Sequence, residues 1–273
     1  MENLRIVAIG RAAQYSPNSV GKDAAILQAV CSRLHDRGYT VLTTVNEDEQ
    51  GALPEAEVYV SMGRRPQTLR ALTERREAGA LVLNQPEGVR MCSLRAAQMR
   101  HLEATSIPVA SMIGTEGYWV KRGDGYAETA ADVMFAPDYA VADALRQTML
   151  RRGIRSVDVR AHVSGDLVKF YGVLGTGFFR YYYPGDDGQW KFGDEARNGQ
   201  PQHYAFDEQQ LTDVAERAAL SLKTDIYGGD CIIRPDGQPV VIDFNDWPSF
   251  SRCRDEAAGA IAALIEQQIK KKK

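Results

Sequence analysis

The sequence lacks the features that would assign it to a membrane, zinc-binding or disulfide-rich class. No apolar run approaches the roughly 18 residues needed to span a bilayer, and the N-terminus has no basic segment followed by a long apolar stretch. The four cysteines show no C-x-x-C spacing and no nearby histidine cluster. We therefore expect no signal peptide and no zinc site, and reduced thiols in a cytoplasmic protein.

No excess of charge of one sign is present either. The formal net charge of the 273 residues is −3, with 25% charged and 44% hydrophobic residues, which are ordinary globular values. This balance indicates no nucleic-acid or membrane partner and leaves a homodimer open. The length allows one large domain or two or three small ones.

Two familiar nucleotide-binding motifs are also missing. The chain contains no G-x-G-x-x-G dinucleotide fingerprint and no G-x-x-x-x-G-K-[ST] loop. A nucleotide would therefore have to be held in another way.

The most informative stretch present is GGDCIIRPDGQPVVIDFNDWPSF, residues 228–250. Two β-branched runs flank Asp236-Gly237, which predicts a hairpin. That hairpin would put Asp230 near the start of one strand and Asp243 and Asn245 at the end of the other. Positions two apart share a strand face. Hard oxygen ligands, few in number, suit Mg²⁺ completed by water and phosphates.

The first 85 residues alternate between predicted strands and helices, which indicates a parallel sheet. Loops at the carboxyl ends of such strands form the usual ligand crevice. Here they carry Arg11, Arg64 and Arg65, which could clamp a carboxylate or phosphate. Solvated surface arginines are the plain alternative.

Further along the chain, periodicity predicts one helix over 88–104, a strand ending at Lys121, and a hairpin of strands 156–163 and 167–173. A strand over 178–183, a mobile loop or lid over 186–202, a helix capped by Asp207, and a closing helix over 257–269 follow. After the strand that ends at Lys121 comes a glycine turn, Arg122-Gly123-Asp124-Gly125. An ammonium and the exposed N–H groups of such a turn can cradle phosphates.

The metal-site stretch resembles the C-terminal metal-binding segment of the ATP-grasp superfamily, which reads roughly G-x-D, strand, D-G, strand, [DE]-x-N-x-x-P. The nearest branches are RimK-like and glutathione-synthetase-like ligases, with the inositol-phosphate kinases as an alternative. In this family two acids and the Asn hold Mg²⁺ against the ATP phosphates, which implies that role for Asp230, Asp243 and Asn245. The second acid is more often Glu in the ligases, whereas Asp also appears in the kinase branch.

The resemblance spans about residues 84–250 and implies roles for further residues. Lys121, with Gly123 and Gly125, matches the family's phosphate-contacting lysine and its glycine turn. The predicted hairpin of strands 156–163 and 167–173 resembles the family's interlobe hinge, whose backbone holds adenine. The acid that the family has in this hinge falls on Ala161, which is a departure. The cofactor-binding residues implied in this way are Arg95, Lys121, Gly123, Gly125, His162 and Val163.

Two residues are implied in catalysis. Lys169 fits the family's basic residue facing the phosphates or the second substrate, and Arg180 fits its arginine against the transferring phosphoryl group. An arginine within an aromatic strand is expensive to bury unless it is paired. Arg11, Arg64, Arg65 and Ser249 are the candidate substrate-binding residues.

The resemblance implies an α/β ATP-grasp fold with an N-terminal parallel-sheet domain (1–85), a small ATP-binding lobe that includes the preceding helix (86–163), and a C-terminal antiparallel lobe (164–273). ATP would lie between the two lobes. The implied function is a Mg²⁺- and ATP-dependent ligase that activates a small-molecule or peptide carboxylate as an acylphosphate for attack by an amine. A small-molecule kinase and a non-catalytic nucleotide-binding module are the alternatives.

Overall fold

The computed structural model describes residues 4–17, 19–49, 51–186 and 197–272. Most of the predicted loop over 186–202 therefore lies outside the described residues. The strands are β1 (Arg5–Gly10), β2 (Thr40–Asn46), β3 (Val58–Ser61), β4 (Leu81–Leu83), β5 (Tyr118–Arg122), β6 (Val133–Ala136), β7 (Val157–Ala161), β8 (Asp166–Val173), β9 (Phe178–Tyr182), β10 (Ile226–Ile233) and β11 (Pro239–Asp246). The helices are α1 (Val20–Asp36), α2 (Pro66–Glu77), α3 (Pro86–Ser93), α4 (Arg95–Ala104), α5 (Tyr139–Arg151), α6 (Glu208–Leu222) and α7 (Arg254–Lys272).

The N-terminal strands form a parallel sheet in the order β2-β1-β3-β4, as the alternating pattern predicts. Both faces of β1 are buried: Ile6 and Ala8 face one apolar cluster, and Val7 and Ile9 face another. This is why β1 has a continuous apolar run instead of an alternating one.

Helix α7 covers one face of this parallel sheet, although it lies at the far end of the chain. Its buried residues Ile261 and Ile265 share one apolar cluster with Ile6 of β1, with Leu34 of α1 and with Ile226 of β10. The N-terminal sheet and the C-terminal lobe therefore have a common core.

The small lobe is a sheet in the order β6-β5-β7, packed against α5 around a core of its own. The predicted hairpin of strands 156–163 and 167–173 is wrong. Strand β7 pairs with β5, whereas β8 pairs with β9 and β10, so the chain passes from one sheet to another between Ala161 and Asp166. Periodicity identifies strands but does not say which sheet each one joins.

The C-terminal lobe is an antiparallel sheet in the order β11-β10-β8-β9. The turn predicted at Asp236-Gly237 is confirmed, with φ of +79° at Gly237, a conformation that favours glycine. Both strands of this hairpin are longer than predicted, so Asp230 and Asp243 lie within strands and not at their ends. The reason is that β10 is paired along its whole length with β8, which keeps its backbone extended.

The predicted single helix over 88–104 is also wrong. It is divided into α3 and α4 at Leu94, whose φ and ψ of −110° and 71° are not helical. Arg95 consequently stands at the first position of α4 instead of in the middle of a helix. No described helix is long and apolar enough to cross a membrane.

Candidate functional site

The two predicted metal-binding carboxylates lie side by side in the C-terminal sheet. Asp230 of β10 is directly opposite Asp243 of β11 and Lys169 of β8, so all three side chains stand on one face. Asn245 follows Asp243 by two positions on the same face, and its Nδ2 donates to Asp243 Oδ2 at 3.1 Å. The structure therefore brings the three predicted ligands together.

Cationic side chains occupy the carboxylates. Arg95, at the start of α4, donates from its Nη1 to Asp243 Oδ1 at 2.8 Å, and Lys169 Nζ lies 3.2 Å from both oxygens of Asp230. Lys121, at the end of β5, donates to the carbonyl oxygen of Ile242 at 3.4 Å. The small lobe, α4 and the C-terminal sheet thus each place one cation at the same point.

Charge shifts the pKa values in this cluster. Burial would raise the pKa of Asp243, but the positive charges of Arg95 and Lys121, with hydrogen bonds from Asn245 and Arg95, outweigh it and lower the pKa to about 2. Burial, helped by the like charge of Arg95, lowers the pKa of Lys121 to about 8 even though three aspartates oppose the shift. Asp243 is therefore ionised at neutral pH, whereas Lys121 loses its proton within the range of ordinary buffers.

The donor set fits Mg²⁺. Two carboxylates and one carboxamide supply hard oxygen atoms on one face of the sheet. Within the described residues no group of three or more His, Cys, Asp or Glu side chains is arranged to hold a metal. Few protein ligands completed by water and phosphate are typical of Mg²⁺, and two acids with one Asn form such a set.

The glycine turn after Lys121 differs from the predicted phosphate cradle. The N–H of Gly123 donates to the Ser156 carbonyl oxygen at 2.8 Å, so it is not exposed to a ligand. A Cβ at Gly123 would lie 2.7 Å from that of Ala96, so this glycine lets α4 approach the small lobe. At Gly125 an added Cβ would meet only the guanidinium of Arg122, at 3.6 Å. A phosphate-binding role for Gly123 must therefore come from its backbone shape and not from its N–H.

The two hinge residues take different positions. His162 Nδ1 lies 3.2 Å from Trp119 Nε1, and burial lowers the pKa of His162. The carbonyl oxygen of Val163 accepts from Asn198 Nδ2 at 3.1 Å, while the guanidinium of Arg197 lies 3.4 Å from the centre of the Phe135 ring. Adenine binding by His162 and Val163 stays a prediction, and an adenine that used the Val163 carbonyl would share that oxygen with Asn198 or displace it.

Arg180 is on the same sheet face as Lys169 but at its edge. On β9 it stands opposite Tyr171 of β8, and its guanidinium forms a 2.6 Å ion pair with Glu256 at the start of α7. The two side chains are 48% and 57% exposed. The guanidinium carbon of Arg180 also lies 5.4 Å from the centre of the Phe178 ring, and the side chain is half exposed because β9 is an edge strand. A phosphoryl-stabilising role for Arg180 stays a prediction and requires it to leave Glu256.

Arg11 and Arg64 are buried ion-pair residues, not surface clamps. Arg64 makes a two-pronged contact with Asp246 of β11, and Arg11 bonds to Asp23 and to the carbonyl oxygen of Trp247. These contacts join the N-terminal sheet to β11, the strand that carries Asp243 and Asn245. Their donors are largely committed inside the protein, which leaves little for a substrate.

Arg65 pairs with Asp48 at the end of the parallel sheet. Ser249 is part-buried between Trp247 and Phe250, two residues with positive φ, and stands four positions after Asn245. A substrate-binding role for Arg65 and Ser249 stays a prediction.

Glu47 was not among the residues predicted from the sequence. Its carboxylate accepts backbone N–H groups of Ala12, Arg64 and Arg65 at 2.8 to 2.9 Å, at the carboxyl edge of the parallel sheet and the start of α2. It therefore occupies backbone N–H groups at a helix start that could otherwise bind an anion. The only signal available was an acid directly after a strand, which is too common to interpret.

Tyr126 and Asp158 were also missed. Tyr126 follows the glycine turn, and its ring lies 4.3 Å from the guanidinium carbon of Arg64, so the small lobe contacts the N-terminal sheet. Asp158 of β7 is directly opposite Lys121 of β5 and adds a third acid to the cluster. Two surface grooves of about 470 and 570 Å³ lie instead along β4, and none of the candidate site residues lines them.

Solved structures similar to this chain cover nearly all of it. One is a RimK domain ATP-grasp protein from Sphaerobacter thermophilus, with 20% identity, a TM-score of 0.64, and coverage of 96% of this chain and 99% of that chain. This chain has the ATP-grasp fold.

Other proteins with a similar ATP-grasp structure are ligases. The D-alanine–D-alanine ligase from Bacillus anthracis shares 10% identity over 98% of both chains, with a TM-score of 0.66. The VanG D-Ala:D-Ser ligase from Enterococcus faecalis shares 11% identity, covers 97% of this chain and 99% of its own, and has a TM-score of 0.66. No protein-family model matches the sequence, and no match was found among curated proteins. At these identities the comparison shows the fold.

Proposed function

We propose that this protein is an ATP-dependent ligase that activates a small-molecule or peptide carboxylate as an acylphosphate for attack by an amine. The observation that carries the proposal is the meeting of Asp230 and Asp243 with Arg95, Lys121 and Lys169 between the lobes of an ATP-grasp fold. The similar ligases support the reaction class, and the D-alanine–D-alanine ligase has also been solved complexed with ATP.

Each residue contributes positioning or charge. Asp230, Asp243 and Asn245 would hold Mg²⁺, which when bound neutralises phosphate oxygens and aligns the γ-phosphoryl group. Lys121 and Arg95 would bind the phosphates from the opposite side, and Lys169 faces the position of the transferring group. No covalent enzyme intermediate is required, because alignment and electrostatic stabilisation supply the catalysis.

A small-molecule kinase is the alternative, favoured by aspartate instead of glutamate at position 243. The arginines that would have clamped a phosphorylated substrate no longer support it, because Arg11 and Arg64 are buried in ion pairs with Asp23 and Asp246. A non-catalytic module is favoured by Ala161, whose side chain packs in the small-lobe core, and by the short small lobe, whose described sheet has three strands.

Hydroxylamine trapping distinguishes these functions. The protein is screened for ADP release against pools of amino acids, peptides and polyol phosphates, and the active pool is repeated with hydroxylamine. A ligase yields a hydroxamate from its carboxylate substrate and ATP, whereas a kinase accumulates a stable phosphate ester. A phosphate ester without hydroxamate would replace the ligase by the kinase, and ATP binding without any ADP release would indicate the module.

A further inference from the structure

The carboxylates of the candidate metal site are already neutralised by the protein itself. Asp243 accepts from Arg95 on one oxygen and from Asn245 on the other, while both oxygens of Asp230 contact Lys169. A cation that binds Asp243 through Oδ1 therefore competes with Arg95 for that oxygen.

Both ion pairs are partly shielded from water. Arg95 and Asp243 are 21% and 22% exposed, and Lys169 and Asp230 are 20% and 23% exposed. Pairs at this depth are screened less by water and salt than exposed surface pairs. The position of Arg95 is also fixed, because it starts α4 and the next residue, Ala96, donates its N–H to the Gly123 carbonyl oxygen at 3.2 Å.

We infer that Arg95 is a positioning residue that makes metal binding and nucleotide binding depend on each other. Without nucleotide it occupies Asp243 and weakens the site for a divalent cation. Nucleotide phosphates, which carry several anionic oxygens, offer its guanidinium a better partner and release Asp243 to the metal. The inference rests on the proposed function, because it requires a nucleotide at this site.

The coupling is reciprocal, as any thermodynamic linkage must be. A metal on Asp243 frees Arg95 for phosphate, and phosphate on Arg95 frees Asp243 for metal. Removing the arginine should therefore change the two affinities in opposite directions. A residue that only stabilises the fold would lower both.

The test measures Mn²⁺ binding by electron paramagnetic resonance, with and without ADP, so that no turnover is needed. Arg95→Gln should bind Mn²⁺ about tenfold more tightly than the unaltered protein when nucleotide is absent, which corresponds to ~1.4 kcal/mol. The same variant should bind ADP at least about tenfold more weakly, and ADP should strengthen its Mn²⁺ binding far less.

Arg100→Gln is the matched control, since Arg100 is exposed on the same helix. It should leave both affinities unchanged. Arg95→Lys, which keeps the charge, should give intermediate values. Near-ultraviolet circular dichroism shows whether each variant keeps its tertiary structure.

An unchanged or weakened Mn²⁺ affinity of Arg95→Gln without nucleotide would overturn the inference. So would an unaltered protein whose Mn²⁺ affinity is the same with and without ADP, and this measurement needs no variant. The proposed function fails separately: a protein that binds Mn²⁺ and ADP cooperatively but forms no hydroxamate keeps the inference and loses the ligase. If ADP does not bind at all, its addition leaves the Mn²⁺ affinity unchanged, and the inference fails together with the proposed function.

Discussion

Lys121 has a pKa of about 8 because burial and the neighbouring Arg95 disfavour its charged form. Phosphate oxygens beside it would favour the charged form and raise the pKa again. Near pH 7 the lysine is mostly charged before and after nucleotide binds. Above its pKa it is mostly neutral in the free protein, so binding must bring a proton with it.

We therefore predict proton uptake on ADP binding at about pH 9, close to one proton per nucleotide, falling toward zero at about pH 7. Calorimetry in buffers of different ionisation enthalpy measures it directly. Lys121→Met should abolish the uptake and weaken ADP binding by roughly 1.5–3 kcal/mol, the value of a charge-assisted hydrogen bond. Proton uptake that persists in this variant would contradict the assignment.

Arg180 provides a second prediction at this scale. If it stabilises the transferring phosphoryl group, Arg180→Ala should lower kcat at least about a hundredfold and leave ATP affinity unchanged, as when one preorganised donor is lost. Glu256→Gln removes its partner in the exposed ion pair without removing the guanidinium, and should leave kcat nearly unaltered. Turnover that survives Arg180→Ala would show that the arginine only pairs with Glu256.

The sequence could predict contacts within one hairpin of the site but not contacts between distant segments. Asp230, Asp243 and Asn245 lie on one hairpin, so local spacing was enough to bring them together. The partners of Arg64 and Glu47 could not be predicted, because each contact joins segments that meet only in the folded chain. Periodicity also cannot show that β9 is an edge strand, and so could not predict that Arg180 is half exposed.

Among the elements, α7 stands out because it packs against both α1 and β8. Its small and branched residues, Ala258, Ile261 and Ile265 among them, are completely buried. The sequence predicted the helix from its apolar spacing but gave no reason to place it against the N-terminal sheet. The break at Leu94 was missed because no proline or glycine marks it in the sequence over 89–104.

Ile261→Ala should destabilise the protein by about 2–5 kcal/mol, because it leaves a cavity where the sheet and the C-terminal lobe share their core. Urea unfolding, followed by circular dichroism, measures the shift of the midpoint. Ile113→Ala is the control: this isoleucine is 83% exposed, and its loss should change the stability by less than about 0.5 kcal/mol. Equal effects of both substitutions would contradict the shared core.

For the whole molecule, the division into cores differs from the division along the chain. The N-terminal sheet and C-terminal lobe share one apolar cluster, whereas the small lobe has its own, made of Val120, Ala142, Met149 and a few neighbours. The buried pair of Arg64 with Asp246 further joins the first two units. The boundary predicted at residue 85 therefore separates two segments whose apolar side chains pack in one cluster.

Native-state hydrogen exchange should reveal two levels of stability. We expect the amides of β5 and α5 to exchange through an opening of lower free energy than those of β1 and β10, because the small lobe buries fewer apolar side chains. ADP with Mg²⁺ should slow exchange in β5 more than in β1, since Lys121 lies at its end. Uniform protection across all of these strands would indicate a single cooperative unit instead.

The position of α7 has a consequence for synthesis of the chain. The ribosome completes β4 at Leu83, but α7 begins only at Arg254. At about 5–20 residues per second, synthesis of the chain between these two points takes roughly ten to thirty-five seconds, and during this time α7 cannot pack on the apolar face of the first sheet. The first sheet is thus made well before α7 can pack on it, and the nascent chain should be a substrate for chaperones that bind exposed apolar strands.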